Sequence, residues 1–178
     1  AQAFYYCANL KMITIPPKVE NIFGHTFAGN YNLSRVILNE GLKSIEGYAF
    51  QSTVFSEIII PSTVTKIENQ VFFGNLNLRN ITIKEGANFI YENEMLMSKN
   101  KEDLLFISNN YLENITTFTI PEGVKKFNTS ISLYENIKKI VIPETLEEFT
   151  KGTSSTILPT TIEEIEVSEK NSKFSVSN

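Results

Sequence analysis

The sequence predicts a β-rich solenoid: a stack of short coils with a parallel sheet on one face, short strands and turns on the other, and one inserted β-hairpin. Two observations predict it. Phenylalanine recurs at Phe4, Phe27, Phe50 and Phe72, at intervals of 23, 23 and 22 residues. Repeat periods of about 20–50 residues mark solenoids and related arrays. Around each of these phenylalanines the same apolar pattern also returns.

Each unit carries an L-x-x-I-x-I run: Leu10, Ile13, Ile15; Leu33, Val36, Leu38; Phe55, Ile58, Ile60; Leu78, Ile81, Ile83. The last two apolar positions are two apart, so they share one face of a strand. Pro16 and Pro61 follow directly, and a residue without an N–H ends the strand there. A shorter apolar pair comes next: Val19 and Ile22, Leu42 and Ile45, Val64 and Ile67. A polar stretch then leads to the phenylalanine, and Gly29 and Gly74 close the unit with a turn. One unit cannot bury its apolar side alone, whereas stacked units share a continuous core. Burying one Ile or Phe contributes about 1.5–3 kcal/mol before conformational entropy, so five or six such residues per coil can sustain the stack without disulfides.

The pattern continues with drift. Ile115, Phe118 and Ile120 precede Pro121, then Val124 and Phe127; Ile137, Ile140 and Ile142 precede Pro143, then Leu146 and Phe149. Ile162, Ile165 and Val167 give a seventh strand. Leu158–Ile165 also fits the proline-plus-apolar-pair segment; the strand is preferred because Ser168–Phe174 then parallels the segment after the fourth strand. Between the fourth and fifth strands, residues 87–114 read as the hairpin. Glu94–Ser98 and Asp103–Ser108 are its arms and Lys99–Glu102 its polar turn.

The repeat runs through residues 1–178, so a single solenoid domain is expected. The chain opens at Ala1 within a repeat and closes at Asn178 without a distinct capping unit. It therefore reads as a fragment of a longer protein whose leader or anchor lies elsewhere. The net charge of −4 and pI near 5.2 argue against nucleic acid, which needs a basic patch. No apolar run reaches the length of a membrane span, so direct membrane insertion of this stretch is not expected.

Ile15–Phe27 and Ile60–Phe72 resemble the units of BspA-like leucine-rich repeats, I-P-x-x-V-x-x-I-x-x-x-A-F followed by a turn and L-x-x-I. Ala3–Leu10, with Cys7, is similar to that turn, and the hairpin is similar to one the family often inserts. Leu38-Asn39 and Ile83-Lys84 depart from the pattern in lacking the proline. The resemblance implies a leucine-rich-repeat solenoid in a secreted or cell-surface protein of a host-associated microbe. It also implies adhesion or binding of a host extracellular-matrix or cell-surface protein.

A ligand would meet the residues that point outward between the inward strand positions. One column reads Met12, Arg35, Glu57, Asn80, Thr117, Lys139, Glu164; its neighbour reads Thr14, Ile37, Ile59, Thr82, Thr119, Val141, Glu166. The candidates for protein binding are Met12, Arg35, Ile37, Glu57, Ile59, Thr82, Lys139 and Val141. The mostly β-branched second column also fits plain strand preference on an exposed sheet, and Arg35 beside Glu57 reads as an exposed cross-strand ion pair.

No catalytic residues, cofactor or metal site are expected, and the chain reads as a non-enzymatic module. With one histidine and one cysteine, a Cys/His metal site is ruled out. His25 reads as a surface polar residue and Cys7 as a small buried apolar side chain. Asn32, Asn80, Asn114 and Asn128 match the N-glycosylation acceptor, about as often as chance gives in so Asn-, Ser- and Thr-rich a chain. Two functions stay open: a protein-binding module that uses the sheet face, and a structural spacer that presents another domain.

Overall fold

The computed structural model describes residues 2–150 and 156–175. After a partial first coil, the chain lays down two strands per coil. These are β1 (Met12–Thr14) and β2 (Asn21–Ile22), β3 (Arg35–Ile37) and β4 (Ser44–Ile45), then β5 (Glu57–Ile60) and β6 (Lys66–Ile67). The fourth coil contains β7 (Asn80–Ile83), β8 (Phe89–Glu92), β9 (Met95–Ser98), β10 (Asp103–Ile107) and the short helix α1 (Asn109–Leu112). Regular coils resume with β11 (Thr117–Thr119) and β12 (Lys126–Phe127), then β13 (Lys139–Ile142) and β14 (Glu148–Phe149), and finally β15 (Glu164–Val167).

All seven expected front strands are present, each pairing in parallel with a neighbour one coil away. The front sheet is nevertheless in three pieces: β1–β3, β5–β7 and β11–β13–β15. Where the proline stop is missing, the polar residue is used instead. The Lys84 N–H donates to the Ile60 carbonyl at 3.0 Å, and the Asn39 side chain donates to the Ile15 carbonyl at 2.7 Å. The two-residue back strands also pair in register, Ile22 with Ile45 and Ile45 with Ile67.

Inside, the phenylalanines form a column. Phe4, Phe27, Phe50 and Phe72 have successive centroid distances of 5.3, 5.4 and 6.1 Å, with planes within 9° of parallel. The backbone around them repeats as closely. A left-handed residue stands two before each ring (Gln2, His25, Tyr48, Gln70) and another two after it (Tyr6, Gly29, Ser52, Gly74). Only half of the second set is glycine, which is why composition alone shows the turn weakly.

The insertion is more than a hairpin. β8, β9 and β10 form an antiparallel meander, and β10 also pairs in parallel with β12. The last arm of the insertion is therefore the back strand of the fourth coil. β9 is buried on both faces. Met95 and Met97 pack into the core of the later coils, while Leu96 packs into the core of the earlier ones. β8 divides likewise, with Phe89 on the early side and Ile90 on the late side. In β10, Leu105 and Phe106 both face the early core because the register shifts there. The meander is thus a transverse wall with one core on each side. It also accounts for the break between β7 and β11.

Two single-residue environments differ from expectation. Cys7 is exposed rather than buried. His25 is half-buried rather than a free surface group; its ring stacks on Tyr48 at 5.0 Å and 15°. The seventh strand forms as expected. Ile165 is 44% exposed because β15 has a paired neighbour on one side only, and Phe174 extends the back column over Phe149 at 5.6 Å.

Candidate protein-binding face and cleft

The eight candidate residues sit at the outward positions of their strands: Met12, Arg35, Glu57, Ile59 and Thr82 are exposed, and Ile37, Lys139 and Val141 are half-buried. In β5 the pattern is regular, with Glu57 and Ile59 exposed and Ile58 and Ile60 buried. Met12 opposes Arg35 and Thr14 opposes Ile37; Glu57 opposes Asn80 and Ile59 opposes Thr82. Met12 and Ile59 are 52% and 51% exposed, while Ile37 between them is half-buried. Six candidates therefore lie on the coils before the transverse wall. Lys139 and Val141 lie beyond it on β13, so the eight do not form one continuous patch.

Charges on this face are arranged differently from the expectation. Arg35 and Glu57 form no ion pair. The sheet breaks between β3 and β5, so no ladder fixes the two side chains opposite each other. Lys139 instead sits between two carboxylates, 2.7 Å from Glu164 and 2.7 Å from Glu166. Hydrogen bonds donated by its ammonium to Glu164 and then to Glu166 hold Lys139 above the usual lysine range. That cluster satisfies its own cation, which leaves Lys139 little to offer a partner.

The wall also creates a cleft that sequence reasoning missed. A cavity of about 500 Å³ opens beside it. Its buried lining is Met95, Met97 and Val124; Tyr111, Pro121 and Glu92 are half-buried, and Asn93, Lys101, Thr119 and Glu122 are exposed. Lys101 pairs with Glu92. One signal could have revealed it. Met95-Leu96-Met97 and Leu104-Leu105-Phe106-Ile107 are continuous apolar runs, the mark of strands covered on both faces. Neither can be a two-sided hairpin with one face in water.

Among the described residues no group of three His, Cys, Asp or Glu side chains could hold a metal ion, and no helix is long and apolar enough to cross a membrane.

The coil geometry defines a leucine-rich-repeat solenoid, and sequence comparison agrees. The BspA type leucine rich repeat region matches in six copies over residues 1–112 and 105–177. The chain belongs to that family. Among solved structures it is similar to a leucine rich cell surface protein from Faecalibacterium prausnitzii. The TM-score is 0.72 at 25% identity, over 93% of this chain and 44% of that one. The fold is shared with the pneumococcal vaccine antigen PcpA, with TM-score 0.62 at 19% identity over 88% of this chain and 47% of that one. It is shared too with a leucine-rich repeat protein from Eubacterium ventriosum, with TM-score 0.59 at 20% identity over 92% and 55%. The chain thus spans about half the length of these proteins. No curated protein matches the chain significantly.

Proposed function

We propose that this chain is a non-enzymatic protein-recognition module of a bacterial cell-surface or secreted protein. It would engage a host extracellular-matrix or cell-surface protein through the front sheet. The observation that carries the reading is the outward pair Met12 and Ile59, each about half exposed, flanking Ile37 and bordered by Arg35 and Glu57, neither of which forms an ion pair among the described residues. An apolar centre with a charged rim is the usual anatomy of a protein interface. Similarity to a leucine rich cell surface protein supports the location. The reading takes residues 1–178 as one solenoid unit, supported by two cores that share the transverse wall.

The test is surface plasmon resonance of the chain over immobilised extracellular-matrix proteins, with a Glu57→Lys/Ile59→Lys double variant as control. Exposed surface changes alter stability by about 0.5 kcal/mol or less, so the variant keeps its fold and circular dichroism spectrum. Saturable binding lost in the variant is the expected result. Binding that the variant retains refutes the sheet face as the site, and a chain that binds none of these proteins is better described as a spacer.

A further inference from the structure

We propose that the cleft beside the transverse wall binds a peptide segment carrying an arginine next to an aliphatic side chain. The inference does not depend on the front-sheet reading.

Three observations carry it. The cavity, about 500 Å³, falls within the ~300–1,000 Å³ range of clefts that hold small ligands and side chains. Its floor contains two methionines on one face of β9, and thioethers adapt to irregular apolar shapes better than branched side chains do. Its charge is unbalanced. Its lining holds two carboxylates, Glu92 and Glu122, and one ammonium, Lys101, which is committed to Glu92. Glu122 is exposed and has no ion-pair partner among the described residues.

These features select the ligand by its chemistry. An aliphatic side chain fits against Met95 and Met97. A cation fits Glu122, and the half-buried Tyr111, which packs at right angles to Phe118, is the aromatic ring in the lining. Arginine suits such a site better than lysine, because its planar guanidinium both stacks on a ring and pairs with a carboxylate through two hydrogen bonds. Phosphate and carboxylate ligands are disfavoured by the same two glutamates.

The sequence supplies its own reporter. The chain has three methionines: Met95 and Met97 line the cleft and Met12 lies on the front sheet. Protein labelled with [methyl-13C]methionine is titrated with the probe acetyl-Leu-Arg-Leu-amide. The Met95 and Met97 signals are expected to move and saturate while Met12 stays. Acetyl-Leu-Glu-Leu-amide is expected to leave all three in place. Thr119→Trp, which crowds the exposed side of the cleft, and Glu122→Lys are each expected to weaken binding at least tenfold. Glu57→Lys/Ile59→Lys is expected to change nothing, so failure here and failure of the front-sheet reading are separable. Static Met95 and Met97 signals at millimolar probe overturn the proposal. So do an equal response to the glutamate peptide and movement of Met12 alone.

Discussion

Replacing Phe50 by alanine is the sharpest perturbation of the phenylalanine column. Phe50 is wholly buried and stacks between Phe27 at 5.4 Å and Phe72 at 6.1 Å, with Phe55 edge-on at 5.6 Å. Losing a fully buried phenylalanine costs about 3–5 kcal/mol, because the cavity adds to the lost transfer energy. Phe4, at the start of the same column, is 42% exposed and, among the described residues, stacks on Phe27 alone. With about half the burial, Phe4→Ala should cost about 1–2 kcal/mol, half the ~1.5–3 kcal/mol of full burial rounded up for the lost stack. Urea unfolding followed by far-ultraviolet circular dichroism reads both. With a slope of about 2 kcal/mol per molar urea, the Phe50→Ala midpoint falls by about 1.5–2.5 M and the Phe4→Ala midpoint by less than about 1 M. Equal shifts for the two variants, or a Phe50→Ala cost below about 1 kcal/mol, would refute a stacked interior column.

Other consequences follow from single contacts. Gly41 and Gly123 both have φ near +100° (+106° and +94°), but a Cβ on Gly41 would come within 2.3 Å of the Pro17 carbonyl oxygen, whereas one on Gly123 meets nothing within 4 Å. Gly123→Ala should cost only the backbone strain, about 1–2 kcal/mol, and Gly41→Ala at least about 1 kcal/mol more, measured as the difference in urea stability; equal costs would mean the coils do not approach so closely there. The Lys84 ammonium, and then the Ser62 hydroxyl, hold the Glu40 carboxyl at about 2 rather than 4.5, clamping three successive coils. A lowered carboxylate stabilises the fold above pH 4.5, and that contribution is lost as pH falls toward 2. Carboxyl 13C titration should place Glu40 near 2 and return it toward its ordinary value in Lys84→Ala, and an unchanged midpoint in the variant would exclude the clamp. Burial, with Glu113 nearby, pushes the Tyr134 phenol up to about 12. The fold should lose this contribution between pH 10 and 12, and the ultraviolet titration should show a component near pH 12 that Tyr134→Phe removes.

The repeat itself was plain in the sequence because period and alternation are written in residue type. Ile58 and Ile60, two apart before Pro61, could be little other than an inward rung. The outward columns followed from the same arithmetic. What could not be read was how the coils meet. Arg35 and Glu57 stand one repeat apart on paper, but the ladder breaks between their strands, so adjacency in an alignment did not become contact. Lys139 has its partners one strand further on, at Glu164 and Glu166. Cys7, which composition reads as a small buried side chain, is exposed. The insertion was recognised from its polar turn. Its role as a wall rests on Leu96 and Met97 packing into different cores, a property of three-dimensional order rather than of composition.

Methyl-resolved nuclear Overhauser spectra of the folded chain test the central claim, that coils stack on both sides of a transverse sheet. Leu96 methyls should show contacts to the early core, and the Met95 and Met97 methyls to the late core around Val124, with no shared partners. Common partners for Leu96 and Met97, or Phe27, Phe50 and Phe72 ring protons without mutual contacts, would contradict the whole arrangement.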